Sequence, residues 1–290
     1  MNPNPGTMPP LHPILFEEAV RRALLEDLGR RGDITTDAIV AAGATATARM
    51  VVKTGGRIAG IGVAGGVFHV LDPGLRFEAL CGDGADVPAG ATIAVVRGSA
   101  RSILSGERTA LNFLAHMSGI ATATREIVGI VAPYKARVVC TRKTTPGLRT
   151  LEKYAVRAGG GFNHRFGLDD AVLIKDNHIV VAGGVAEAIN RVRQTTGHMV
   201  KVEVEVDSLE QLETALTGDI DAVLLDNMTV EMLCEAVRLV DGRVRTEASG
   251  GITPQSAGAV AASGVDLLSM GWLTHSVPAL DVSLDIEHGT

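Results

Sequence analysis

VEVEVDSLEQLETALTGDIDAVLLD, residues 202–226, holds a strand, a helix and a second strand in one short stretch. VEVEV alternates valine and glutamate, so its valines take one strand face and its acids the other, and in a barrel, where both faces are normally dry, such acids are costly unless satisfied. SLEQLETALTG carries helical periodicity behind a serine cap and closes on Gly218. AVLLD is β-rich again. A strand-to-strand repeat of about twenty residues is close to the minimum for a right-handed crossover between parallel strands.

The same unit recurs outward from this stretch. RVVCTR (137–142), AVLIK (171–175), VRTEAS (244–249) and LLSMG (267–271) read as further strands, with helical segments such as TVEMLCEAVRLVDG (229–242) between them. This compact alternation favours a β/α barrel over an open doubly wound sheet, which stays open as an alternative here. Six clear units rather than eight predict an incomplete barrel of six to seven strands. Upstream, Thr45–Val96 shifts to short Val/Ile runs broken by glycine, predicting a small mixed sheet with a hairpin, packed on a helix near Val63 to Leu71. Amphipathic spacing predicts a first helix over Phe16–Leu28, and residues 103–131 read as a long helical stretch leading out of this domain. Residues 1–13 are Pro-rich and read as a disordered tail.

Composition narrows the function. With 46% hydrophobic and 21% charged residues in 290, the chain is globular rather than disordered. Cys81, Cys140 and Cys234 stand in no CxxC spacing, which argues against a disulfide framework or zinc site. No apolar run reaches the roughly 18 residues of a membrane span and no signal-peptide pattern opens the chain, so a cytoplasmic protein without membrane contact is expected. The net charge of −6 argues against nucleic acid as the main partner. Between Ala136 and Lys175, however, eight Lys or Arg residues meet only three acids, an island suited to a small polyanion.

Barrel enzymes build their sites at the C-terminal ends of strands. Those positions hold Arg142 and Lys143, then Lys175, Glu205, Asp226, Ser249 with Gly250 and Gly251, and Gly271 near His275. Glu203, Glu205 and Asp207 share one strand face. They either pair with cations in a structural network, or Glu205 and Asp226 bind ribose hydroxyls and a divalent ion, for which Mg2+ suits such oxygen donors. SGG (249–251) and MGWLTHS (270–276) fall where barrels often hold phosphate, or are plain strand-to-helix turns. Arg142, His164 and Arg165 could each engage a carboxylate, and Lys143 and Lys175 add point charges; a solvated basic surface is the alternative. The glycines of GGGFNHR mark close backbone approach to something. His12, His69, His116, His198 and His288 lack partner motifs and read as surface or packing residues.

A different class is hinted at by Gly60-Ile-Gly62-Val-Ala-Gly65, which matches GxGxxG with Asp83 about twenty residues on, as in an NAD-dependent oxidoreductase. Glycine-rich packing explains the same residues. HExxH, GxSxG and GxxxxGK[ST] do not occur.

TRKTTPGLRTLEKYAVRAGGGFNHR (141–165), LIKDNHI (173–179), VEVEVDSLEQ, LLDN (224–227), ASGGI (248–252) and GWLTHSV (271–277) together resemble the quinolinate phosphoribosyltransferase family. EDLGRRGDITT (26–36) and SGERTALNFLAHMSGIAT (105–122) extend the resemblance over nearly the whole chain. It implies an N-terminal α/β sandwich domain over 14–130, an incomplete β/α barrel catalytic domain over 131–275, and a segment over 276–290 returning to the N-terminal domain. It implies a homodimer in which one subunit's N-terminal domain closes the other's barrel mouth. The reaction implied is Mg2+-dependent transfer of phosphoribosyl from phosphoribosyl pyrophosphate (PRPP) to quinolinate with decarboxylation, in NAD biosynthesis. By motif, Arg108 of one subunit and Arg142, His164 and Arg165 of the other would hold quinolinate. Lys143 and Lys175 would lie between quinolinate and PRPP, and Glu205 and Asp226 at the ribose and metal, directly or through water. Ser249, Gly250, Gly271 and His275 would hold phosphate. Lys143, Lys175, Glu205 and Asp226 form the implied catalytic set. A ModD-like relative linked to molybdenum transport shares much of the pattern and is the alternative within the family.

Overall fold

A computed structural model describes residues 8–287, and the chain forms two compact units. One takes the chain up to Arg125, Thr144–Gly160 and the stretch from Thr274 on; the other takes Glu126–Lys143 and Gly161–Leu273. The tail expected over residues 1–13 lies outside the described residues as far as residue 7, as does His288. Its remainder leads into a 3-10 turn at Pro13–Leu15.

The first unit is built on a four-stranded sheet in the spatial order Val282–Ile286, Thr45–Val52, Thr92–Ser99, Arg76–Ala79. Every pair is antiparallel, so the sheet is not mixed. Arg76–Ala79 and Thr92–Ser99 follow each other without the crossover helix that a parallel pair would need. The helix Ile61–Leu71 buries Val63, Ala64, Val67 and Phe68, and the Phe68 ring stacks on Phe77 with centroids 6.0 Å apart. The first helix, Glu17–Leu28, buries Val20 and Leu24. The long helix runs from Ala100 to Val131 and bares Gly106 to the Phe68 ring.

The GxGxxG pattern has a packing explanation here. A Cβ on Gly60, whose φ is 92°, would stand 2.6 Å from Met117 Sδ, and one on Gly65 2.8 Å from Phe77, so the first and last glycines of the pattern admit core side chains. Asp83, the acid twenty residues on, accepts the Ile61 N–H at 3.0 Å and the Tyr154 O–H at 2.7 Å. It caps a helix N-terminus, one of the groups helices leave unsatisfied. Asp83 is thus occupied by protein groups, and two of the three pattern glycines are explained by packing.

The second unit holds six parallel strands. In space they run Arg137–Val139, Leu267–Ser269, Arg245–Ser249, Ala222–Asp226, Val202–Val206, Val172–Ile174. Chain order is kept all the way round, with the last strand beside the first. That is barrel winding; a doubly wound sheet reverses at a switch point. On the far side of Arg137–Val139, Phe162 makes a single parallel bridge to Val139, standing in for a seventh strand, and the Arg137 guanidinium lies 5.0 Å over its ring. Val202, Val204 and Val206 are buried on one face, while Glu203 and Glu205 take the other. Asp207 lies just past the strand end and is exposed.

The basic island divides between the units. Arg149, Lys153 and Arg157 sit on the helix Arg149–Ala158, which belongs to the first unit, and Lys153 there is fully buried. The glycines that follow approach the long helix: a Cβ on Gly159 would stand 2.6 Å from the Ala121 carbonyl oxygen. The three cysteines are free thiols. Among the described residues, no helix is long and apolar enough to cross a membrane.

Candidate active site

In the second unit alternate residues of three neighbouring strands share the face of Glu203 and Glu205. Register pairs Leu224 with both Glu205 and Glu247, and Asp226 with Ser249. Glu205, Asp226 and Ser249 therefore stand at or near the strand ends, and Glu203 and Glu247 lie two residues, about 6.6 Å of strand, short of Glu205 and Ser249.

At the rim, Lys175 Nζ lies 3.0 Å from Glu205 Oε2. Lys175 precedes the helix Asp176–Ala182, and its main-chain N–H is donated to His178 Nδ1 at 2.9 Å. Asp226 Oδ2 accepts from Asn227 Nδ2 at 2.6 Å, and the Asn227 N–H donates to the Ser249 carbonyl at 2.9 Å. Gly250 closes against that asparagine: its φ is 92°, and a Cβ would stand 2.1 Å from Asn227 Oδ1. No side chain fits there. Thr253 then caps the helix Pro254–Ala262. Gly271 leaves space for Lys143, whose Cδ a Cβ at that glycine would meet at 2.7 Å.

Below the rim, Arg165 Nη1 donates to the Ala171 carbonyl at 2.8 Å. Burial first, and then the positive charge of Arg142, hold the Arg165 guanidinium below its ordinary range, while Glu203 and Asp170 act the other way. Arg165 Nε is buried without a hydrogen-bond partner among the described residues. An anion placed beside two guanidiniums that repel each other would offset that repulsion, and arginine's planar fork suits carboxylates.

His164 has both ring nitrogens engaged. Nε2 lies 2.9 Å from Glu203 Oε2 and 3.6 Å from Glu247 Oε1, and Nδ1 accepts the Arg165 main-chain N–H at 2.7 Å. Burial, and next the Glu203 charge, push the Glu247 carboxyl up to about 8, so at neutral pH it is mostly protonated. These three residues bring potential metal-ligand atoms within 4.8 Å of one another. That group is distinct from the pair Glu205 and Asp226 expected from sequence.

The second unit thus gathers Arg142, Lys143, His164, Arg165, Lys175, Glu205, Asp226, Ser249, Gly250 and Gly271 along the end of one sheet. Arg108 and His275 belong to the first unit. Arg108 is exposed on the long helix and lines a cavity of about 440 Å³ with Glu26, Asp27, Asn112 and His116. His275 bonds Ser276. His116, which lacks a partner motif, pairs at 2.9 Å with the fully buried Glu152. Sequence reasoning passed over Glu247, Asn227 and His178. The signal for Glu247 was a lone acid inside VRTEAS, two residues before Ser249 and so on its face.

Family profiles described as the N-terminal and C-terminal domains of quinolinate phosphoribosyl transferase match residues 33–118 and 120–285. A nicotinate-nucleotide pyrophosphorylase [carboxylating] of Mycobacterium leprae is 47% identical, with 93% of this chain and 96% of that protein aligned. A probable nicotinate-nucleotide pyrophosphorylase [carboxylating] of Bacillus subtilis is 43% identical, over 93% of each. The crystal structure of NadC from Streptococcus pyogenes superimposes with a TM-score of 0.93 at 39% identity, covering 98% of this chain and 100% of that one.

Proposed function

From the premise that the chain belongs to the quinolinate phosphoribosyltransferase family, we propose that it transfers phosphoribosyl from PRPP to quinolinate, releasing pyrophosphate and CO2 and leaving nicotinate mononucleotide for NAD biosynthesis. As a member of that family it is a phosphoribosyltransferase. The observation that carries the substrate assignment is the juxtaposition of Arg142 and Arg165 in the unit that also presents Lys175, Glu205 and Asp226 at its strand ends.

Quinolinate carries two carboxylates and PRPP several phosphoryl charges, so their repulsion has to be offset before the pyridine nitrogen can approach the ribose. Arg142 and Arg165 take quinolinate. Lys143, lying across Gly271, and Lys175 take charge between the two substrates. Departure of pyrophosphate leaves positive charge on the ribose, which the carboxylates of Glu205 and Asp226 stabilise. As the C2–carboxylate bond breaks and CO2 leaves, the electron pair stays on C2, stabilised by the adjacent positively charged ring nitrogen, and takes up a proton from solvent; the protein's share in that step is orientation.

Mg2+ fits this arrangement. Lys175 takes one oxygen of Glu205 and Asn227 one oxygen of Asp226, so each carboxylate keeps a second oxygen for a ribose hydroxyl or a hydrated cation. Two protein oxygens are the kind of partial shell Mg2+ uses when substrate phosphates complete it. When bound, the ion neutralises the leaving pyrophosphate. Ser249, Gly250 and His275 are assigned to phosphate. Arg108 is assigned to the quinolinate site of the partner subunit in a homodimer.

The test is incubation with Mg2+, PRPP and either quinolinate or nicotinate, following mononucleotide and CO2. Turnover of quinolinate alone is expected; tight NAD binding with neither product would overturn the proposal.

A further inference from the structure

Between the rim and the sheet floor lies a buried triad that the reaction above does not use. Glu203 and Glu247 reach toward His164 Nε2 from strands separated by Ala222–Asp226. Three convergent ligand atoms and a buried Glu247 Oε1 without a hydrogen-bond partner among the described residues raise the question of a metal. The histidine answers it. Its Nδ1 accepts the Arg165 main-chain N–H, so the single proton of the neutral ring sits on Nε2 and points at the carboxylates. A metal at Nε2 would require the ring to lose that proton and become imidazolate. Metal-binding histidines have the opposite polarity, donating their second N–H outward.

The same polarity gives the triad a direction. Glu203 accepts from His164 Nε2–H, and His164 Nδ1 accepts from the Arg165 N–H. Arg165 is in turn held at its far end by the Ala171 carbonyl. Two carboxylates cannot both accept well from one N–H, and two charges in this place would repel. Glu203 is the closer, at 2.9 Å against 3.6 Å for Glu247, and takes the bond. Glu203 also faces the Arg165 guanidinium as an opposite charge. A cation of the rim is held the same way, since His178 Nδ1 accepts the Lys175 main-chain N–H.

We propose that Glu203 is a positioning residue for the dicarboxylate site: acting through His164, it fixes the Arg165 backbone and so aims the guanidinium at the substrate carboxylate. The proposal rests on the quinolinate reading. Within it, His164 serves the substrate through Arg165 rather than through an N–H of its own.

Steady-state kinetics of Glu203→Ala and Glu203→Gln, with thermal melts as the folding control, test it. The Ala variant should raise KM for quinolinate about tenfold, the equivalent of about 1.4 kcal/mol for one lost hydrogen bond, with KM for PRPP nearly unchanged. Gln should restore most of the loss, because its Oε1 still accepts from Nε2–H. Equal rises in both KM values, or a folded Gln variant as impaired as Ala, would overturn the proposal. Should the Ala variant not fold, 15N spectra of histidine-labelled wild type, assigned by loss of one signal set in His164→Gln, decide the matter. Protonated Nε2 with bare Nδ1 at pH 7 supports it, and an imidazolium or the reverse tautomer sinks it. A wild type that ignores quinolinate would refute the functional reading, while the tautomer of His164 would still be measurable.

Discussion

Lys175 Nζ and Glu205 Oε2 meet at 3.0 Å across two adjacent strands, the lysine side chain 47% exposed and the carboxylate 15%. The ammonium holds a sheltered negative charge while keeping much of its own surface open to a ligand. Lys175→Ala removes both services, stranding the Glu205 charge. kcat/KM should fall about 100-fold, with both kcat and KM for PRPP affected. A change in KM alone, seen in initial-rate measurements, would mean that Lys175 only binds.

Arg165 feels the charge of Arg142 and has a buried Nε of its own without a hydrogen-bond partner among the described residues, so its loss should be felt by one substrate. Arg165→Lys keeps the charge but removes the planar fork, and quinolinate affinity should drop by about 10- to 100-fold. PRPP affinity should stay within about a factor of two. Titration calorimetry with each ligand separates the cases, and equal losses contradict the assignment.

Arg108 is exposed on the first unit, whereas Arg142 belongs to the second. If a symmetric dimer pairs Arg108 of one subunit with Arg142 of the other, Arg108→Ala and Arg142→Ala should each be nearly inactive alone. Unfolding and refolding them together in equal amounts makes half of the dimers mixed, each with one intact site, so about a quarter of wild-type activity returns. Failure of the mixture to exceed the sum of its parents would place Arg108 in its own subunit's site or outside any.

Glu247 binds its proton more tightly in the folded chain, at about 8, than in the unfolded one, where the usual value of 4.5 holds. The stability this group contributes is therefore complete below about pH 4.5 and is lost as pH rises toward 8, by up to about 1.4 kcal/mol per unit. Glu247→Gln removes that slope. The melting-temperature difference between the Gln variant and wild type should shift in favour of Gln from pH 5 to pH 8; a constant difference would show that Glu247 is not held neutral.

Much of this architecture was legible because it is local. VEVEV announces its two faces by alternation, and the valines do share one buried face, while Glu203 on the other face is buried as well. The helix expected over 103–131 is found over Ala100–Val131, since apolar spacing survives without knowledge of partners. Partners are what the sequence hides. Lys153 counts toward a basic island until its helix proves to pack in the first unit, fully buried. Asp83 looks like a cofactor acid until it meets the Ile61 N–H. The rim residues were found because strand ends are predictable places; Glu247 was not, because its significance depends on Glu203 and His164, both distant in sequence.

The pairing of Val282–Ile286 with Thr45–Val52 sets a timetable for biosynthesis. A nascent chain leaving the ribosome will have made the whole parallel-stranded unit before the outermost strand of the earlier sheet is available. Until then Thr45–Val52 offers an open edge, a template for unwanted association. Premature termination near residue 280 would thus injure the part of the protein translated first.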